Sequence, residues 1–376
     1  MSAIESIEKR QIIPALTASL TGFLHLLLAS IKAQSALFVI TAIYMGATYL
    51  LFRGVPGLQP YDLSLSFFVF LLPILLLSMI ILRFINICVH VRPKSPIKAL
   101  YYDLKDYLFN ARRLSLGLPI IIVLFFFIET FAYFKVNFIV LKPFDWDIYF
   151  MELDSWMHFG YQPWEILQPV LGYAPVTFFM NLVYNTWFIV MWTIFIWQAF
   201  AARPSTLRLR FFISFLLLWS IGGSVFAMLF SSAGPAFYEA LNLTPNPFKQ
   251  LMTYLYQVNE VFPIWALSTQ ETLWASYVNK QGIVAGISAM PSLHNASAVL
   301  FALLGWQVSR THGIALTIFS VLIFLGSIHL GWHYAVDGYL GAALALVIWW
   351  IAGKIATWME NRPAAKSYQS LFPNPQ

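Results

Sequence analysis

An all-α bundle that crosses a membrane about eight times is the fold this sequence predicts. Three observations predict it. Of the 376 residues, 60% are hydrophobic and only 10% are charged, whereas a soluble domain carries about 25% charged residues. Mean hydropathy is +0.72. Apolar runs of about 20 residues, the length that spans a bilayer, recur along the chain. Aromatic residues at 18% suit interfacial belts. A pI near 9.2 is also what a nucleic-acid binder would show. Here the basic residues lie between apolar runs, where they set membrane orientation, so no nucleic-acid partner is expected.

Taken in order, residues 1–11 are polar and 12–31 are apolar but broken by Pro14, Thr17, Ser19, Thr21, Gly22 and His25. This reads as an interfacial or re-entrant helix inside a cytoplasmic N-terminal region, 1–35. Spans are expected at 36–52, 64–88 and 115–134, forming an N-terminal three-span region over 36–134. An outer interfacial lid follows at 135–173. It contains Phe144-Asp-Trp-Asp-Ile-Tyr149 and Glu152-Leu-Asp-Ser-Trp-Met-His-Phe-Gly-Tyr-Gln-Pro-Trp164. Spans at 174–199, 211–231, 292–309, 313–330 and 335–357 make up a core over 174–357, and 358–376 is a cytoplasmic tail. There is no internal repeat of the kind that marks inverted-repeat transporters, and no cleavable signal is expected at the N-terminus. The single Cys88 allows neither an internal disulfide nor a multi-Cys metal site.

Charge distribution orients the bundle. All of the 22 Lys and Arg fall on one side of the alternating spans except Arg53, Lys135, Lys142, Lys249 and Lys280. The opposite side also carries Asp62, Asp145, Asp147, Glu152, Asp154, Glu165, Glu239, Glu260 and Glu271. Basic loops stay cytoplasmic, so both termini are expected there. Counting 12–31 as a further span would export Lys9 and Arg10.

Two stretches resist explanation by topology alone: Ala289-Met-Pro-Ser-Leu-His-Asn-Ala-Ser297 and Gly326-Ser-Ile-His-Leu-Gly-Trp-His-Tyr-Ala-Val-Asp-Gly-Tyr-Leu-Gly341. Each puts histidine at the non-cytoplasmic mouth of an apolar segment. Pro291 and Ser292 mark a helix start by removing or satisfying free amide donors, and a helix N-terminus presents N–H groups and a positive dipole end to an anion, with His294 in the first turn. A capped helix with an interfacial histidine is an equal reading of that motif alone. In the second stretch His333 and Asp337 share a helix face. An Asp that accepts a proton from one imidazole nitrogen leaves the other a better nucleophile or base. A structural His–Asp pair between helices is one alternative, and a metal site from His329, His333 and Asp337 is another. Two histidines in separate roles permit phosphoryl transfer with no metal or other cofactor. Gly331, Gly338 and Gly341 allow close helix approach beside them.

Pro291-Ser-x-His294 together with Gly331-Trp-His-Tyr-x-x-Asp337 resembles the second and third motifs of the type-2 phosphatidic acid phosphatase superfamily. The resemblance covers about 174–357 and implies a six-helix core with its site at the membrane surface. It implies His333 as the nucleophile that becomes phosphohistidine, Asp337 as its partner, His294 as general acid/base and Ser292 as a phosphate contact. The departures are Leu293 in place of glycine, Ser327 in place of the arginine of the third motif, and no cationic first motif. The positional counterpart of that first motif is Ser231-Ser-Ala-Gly-Pro-Ala-Phe-Tyr238, which adds Tyr238 to the substrate-binding candidates. Lys249 and Lys280 are candidate replacements for the missing cations. A phosphodiester, with one negative charge, needs fewer of them. The pattern is similar to the inositol phosphorylceramide synthase branch, which moves a phosphorylated headgroup from a phospholipid to a lipid alcohol.

The expected function is thus headgroup transfer in the bilayer, with a phospholipid donor and a lipid alcohol, or water, as acceptor. A lipid phosphatase using the same residues is the alternative, and a transporter or scaffold with a dead site is a third reading. Other polar residues have simpler roles. Glu129 reaches water near a span end or acts within the membrane. Tyr184 and Asn185 are polar glue between helices. Asp154, with Gly160 and Pro163, caps an interfacial helix. His25, His90, His158 and His312 have no evident partners in the sequence.

Overall fold

The computed structural model describes residues 20–61, 73, 76, 77, 79–81, 83–108, 110–279 and 286–372. Every regular element among them is helical. In chain order the helices that matter are α1 (Leu20–Ala33), α2 (Ser35–Phe52), α3 (Pro96–Leu108), α4 (Ala111–Leu141), α5 (Asp147–Met157), α6 (Pro163–Leu171), α7 (Ala174–Ala199), α8 (Thr206–Leu229), α9 (Lys249–Asn259), α10 (Trp265–Asn279), α11 (Leu293–Val308), α12 (Arg310–His329), α13 (Ala335–Glu360) and α14 (Pro363–Gln369).

Six of them, α2, α4, α7, α8, α12 and α13, are long and apolar enough to cross a membrane. The count of about eight read from the sequence differs for two reasons. The expected span at 64–88 lies largely outside the described residues. The expected span at 292–309 is α11, whose 16 residues fall short of full membrane-crossing length. At 1.5 Å per residue it is only about 24 Å long. Its short length suits its position: Ala296, Ala298, Leu300, Phe301 and Leu304 are fully buried, because α8, α12 and α13 surround it. Burial on all sides explains why it reads as continuously apolar.

Local chemistry sets the ends. Asn110 caps α4 by accepting from the Arg112 and Arg113 amides at 3.1 and 3.2 Å. Ser309 joins α11 to α12 in one residue and caps the latter at the His312 amide. The middle of α8 loosens into a π-helical segment, Leu218–Phe226, which includes Gly222 and Gly223. A Cβ on Gly223 would stand 2.6 Å from Leu293 and 2.7 Å from Phe131. The unwound, side-chain-free turn thereby admits α4 and the start of α11 to the same place.

α13 runs from the His333 loop to the C-terminal helix α14. At that far end α14 packs on α1 and α4, with Ser115 and Tyr368 hydroxyls 2.9 Å apart. Arg208 is buried there with no carboxylate paired to it among the described residues. It donates to the Gln198, Leu116 and Ala199 carbonyls and to Gln34 Oε1 at 2.6–3.0 Å. α1 and α14 therefore share one face of the bundle, and His294 and His333 lie at the opposite ends of their helices.

Candidate active site

The turn between α12 and α13 carries His333. Its backbone N–H donates to the Ser327 carbonyl at 3.1 Å, and its side chain is 7% exposed. Nδ1 lies 3.2 Å from Asp337 Oδ2. That same oxygen accepts the Tyr334 amide at 3.0 Å, so Asp337 closes the first turn of α13 and orients the imidazole at once. Burial pushes the His333 ring down to about 3, against a hydrogen bond with the Ala289 backbone that favours its charged form. The imidazole is therefore neutral at physiological pH, the form a nucleophile needs.

His294 occupies the first turn of α11, half-buried, with its ring centroid 6.3 Å from that of His333. Ser292 caps this helix. Its Oγ accepts from the Asn295 side chain at 3.0 Å, and its amide donates to the Asp337 carbonyl at 3.1 Å. The two motifs are thus stitched through their backbones. Gly338 and Gly341 make the contact possible: a Cβ on Gly341 would lie 2.8 Å from the Ser292 carbonyl, and one on Gly338 2.5 Å from Phe324. Gly331 has a different part, turning the chain at φ +72°.

Several residues stand elsewhere than the sequence suggested. His329 does not join the pair: its Nε2 meets Thr177 Oγ1 at 2.9 Å. Among the described residues no three His, Cys, Asp or Glu side chains converge as metal ligands. Tyr238 is fully buried against Phe248 with its hydroxyl unpartnered. Burial, with Asp147 and Glu152 nearby, pushes that phenol up to about 12. Lys249 starts α9 with an exposed side chain, and Lys280 lies outside the described residues. Tyr184 joins helices by ring stacking rather than by a hydrogen bond. Its ring stacks on His294 at 4.9 Å and on Trp332 at 6.2 Å, and its hydroxyl has no partner. Trp187 closes the other side of His294 at 4.2 Å. Asn185 bonds within its own helix, to the Asn181 carbonyl. Glu129 is buried in α4. His158 does find a partner, the Tyr339 hydroxyl, at 3.0 Å. Of the remaining histidines, His25 is exposed and His312 Nδ1 meets Ser309 Oγ at 2.7 Å.

Helix α5, in the stretch expected to form a lid, supplies what the sequence did not reveal. Asp147 accepts from the Ala233 and Gly234 amides at 2.8–3.1 Å and from the Tyr334 hydroxyl at 2.8 Å. Asp154 accepts from Ala335 N at 2.7 Å and Val336 N at 3.0 Å, so it caps α13 rather than its own helix. Both carboxylates are almost fully buried. Burial pushes both up, Asp154 to about 7, against the backbone N–H groups that favour the charged form. The loop 231–238 joins the same unit: Gly234 has φ +104°, and a Cβ there would stand 2.7 Å from the Trp332 carbonyl. Ala236 N also donates to the Gly331 carbonyl at 2.8 Å. The stretch matched to the first motif by position alone therefore does lie against the third.

A family model described as the PAP2 superfamily matches residues 148–351. The match begins in α5 and so takes in the lid, whereas the resemblance read from motifs covers 174–357. It leaves α1–α4 outside. No curated protein matches the chain, and no solved structure does.

Proposed function

The chain belongs to the PAP2 superfamily, and from that premise we propose that it is a membrane phosphotransferase that moves a phosphorylated headgroup from a phospholipid to a lipid alcohol. The observation that carries the reading is the pair His333 and His294, with ring centroids 6.3 Å apart and, among the described residues, only the first backed by a carboxylate. Reacting atoms approach to about 3–3.5 Å before bonds change. Two imidazoles this close can both reach one phosphoryl group.

In the proposed sequence the free nitrogen of His333 attacks phosphorus. The bond from phosphorus to the donor lipid oxygen breaks, and that oxygen takes a proton from His294. An acceptor hydroxyl then gives its proton to His294 while its oxygen attacks the phosphohistidine, and the P–N bond breaks. Asp337 holds the His333 tautomer throughout.

Charge supports a diester over a monoester. The amides of Ala233 and Gly234 are already taken by the Asp147 carboxylate, and Asp154 is buried at the start of α13. Two carboxylates around the His333 loop disfavour a phosphomonoester dianion more than a singly charged diester. The expected site is at the non-cytoplasmic surface, with the lid at headgroup depth.

The test supplies purified protein with a labelled phospholipid, with and without a lipid alcohol. The expected product is a headgroup-bearing acceptor, formed only when the alcohol is present. Free phosphate released from a lipid phosphomonoester, with no transferred headgroup, would make the protein a lipid phosphatase instead.

A further inference from the structure

Lys135 is a cation with no charged partner among the described residues. It lies in α4 ahead of the helix end at Leu141 and is half-buried. Among the described residues no carboxylate pairs with its ammonium. Its neighbour is the face of Phe138, 5.7 Å from Nζ to the ring centroid. A lone ammonium in an apolar span is costly, and its ordinary escape is to extend toward water.

At Lys135, α4 packs against the segment that leads to His294. One turn earlier, Phe131 shares the space at Gly223 with the side chain of Leu293. At Lys135 itself the backbone carbonyl covers Gly286, where a Cβ would lie 1.8 Å away. The strand of chain from Gly286 to Leu293 therefore runs along α4 between these two points. It passes Ala289, whose backbone meets the His333 ring, and delivers His294. The charge of Lys135 is felt at both imidazoles. The same corner holds a buried donor with nothing to bond: the hydroxyl of Tyr184, stacked on His294.

We infer that Lys135 binds a non-bridging phosphoryl oxygen of the substrate between His294 and His333, and that this single cation fits a phosphodiester monoanion. The inference rests on the phosphotransfer reading above and deepens it by assigning the anion contact to a helix outside the family match. A bound anion answers the unpaired ammonium and places phosphorus between nucleophile and acid. Lys135 supplies one positive charge, and the carboxylates of Asp147, Asp154 and Asp337 around the His333 loop weigh against a dianion.

The test uses the full chain in detergent and reads thermal stability with dibutyl phosphate, a diester monoanion, and with inorganic phosphate, without any turnover. Dibutyl phosphate should raise the Tm of the native protein and of Lys135→Arg, and leave Lys135→Met unmoved. Methionine suits an apolar span; should that variant not fold, Lys135→Gln takes its place. Equal stabilisation of native and charge-free variants overturns the inference, as does no stabilisation of the native protein. Stronger protection by inorganic phosphate overturns the diester preference. In turnover, Lys135→Met should raise KM for a phospholipid donor by roughly 10- to 100-fold, the value of a charge-assisted hydrogen bond, with Lys135→Arg restoring most of it. Because the binding arm needs no catalysis, a chain that binds the diester through Lys135 yet transfers no headgroup would sink the function and leave the anion site standing.

Discussion

Asp147 and Tyr334 are joined across the site by a 2.8 Å hydrogen bond, from the Tyr334 hydroxyl to a carboxylate on the lid helix. Seven residues on, two turns along α5, Asp154 receives the next two amides of the same loop. One helix thus holds both sides of the segment that presents His333. Its carboxylates act as a cap supplied from another part of the chain.

Replacing Asp154 by Asn keeps the shape and removes the charge that faces the α13 N-terminus. The expected loss of stability is about 1 kcal/mol, the scale of a weakened cap. Loosening the loop by a fraction of an ångström should lower kcat by about 10- to 100-fold, with KM little changed. Steady-state kinetics beside a melting curve checks this. Loss of stability with unchanged kcat would reduce Asp154 to a structural role.

The state of His333 sets a pH dependence. Its folded value, about 3, lies below the ordinary 6.5. A depressed histidine contributes stability that is full above 6.5 and is lost as pH falls from there toward 3, because the unfolded chain takes up the proton first. Between pH 6.5 and 4 the native protein should lose up to about 1.4 kcal/mol per pH unit from this group. His333→Gln should show a shallower decline over the same window. Parallel melting curves from pH 7 to 4 decide it, and identical slopes would mean that the ring is already charged when folded.

The separate roles proposed for the two histidines predict opposite behaviour with an activated donor. With an ordinary phospholipid, His294→Ala should fall by roughly 10²- to 10⁴-fold, the range of general acid–base catalysis. With a p-nitrophenyl leaving group no proton is needed at departure, so the first step survives. The second step still lacks its base. Labelled phosphohistidine should then accumulate on His294→Ala and be absent from His333→Gln. Label on neither variant would contradict the double displacement.

Much of this was legible in the sequence because the chemistry is local. His333 and Asp337 are one helical turn apart, and Ser292 announces the start of α11. What escaped depends on contacts between distant segments. Lys135 marks the end of an apolar window, so a span read by hydropathy stops at 134, whereas α4 continues to Leu141 and holds the lysine within the helix. Asp147 and Asp154 look like ordinary polar residues of an interfacial helix; only the fold brings Gly234 and Ala335 to them. Tyr184, inside an apolar span, has the same signature whether it bridges helices or stacks on His294.

Gly341 offers the sharpest separation of packing from chemistry. It lies on α13 one turn beyond Asp337, and a Cβ there would stand 2.8 Å from the Ser292 carbonyl and 3.4 Å from Ala296. The first of these contacts is backbone, so it cannot be relieved by rotating a side chain. Gly341→Ala must push α13 away from the start of α11. Ser292 is two residues from His294, and its amide bonds the Asp337 carbonyl. The displacement therefore opens the distance between His294 and His333 directly. In a helix interior alanine is otherwise preferred to glycine by about 1 kcal/mol, which offsets part of the packing cost. The expected variant is folded, with a Tm close to native, and at least about 100-fold slower in headgroup transfer, since a misplacement near 1 Å costs that much. A Gly341→Ala protein with native kcat would show that the approach of α13 to α11 does not set the spacing of the two histidines.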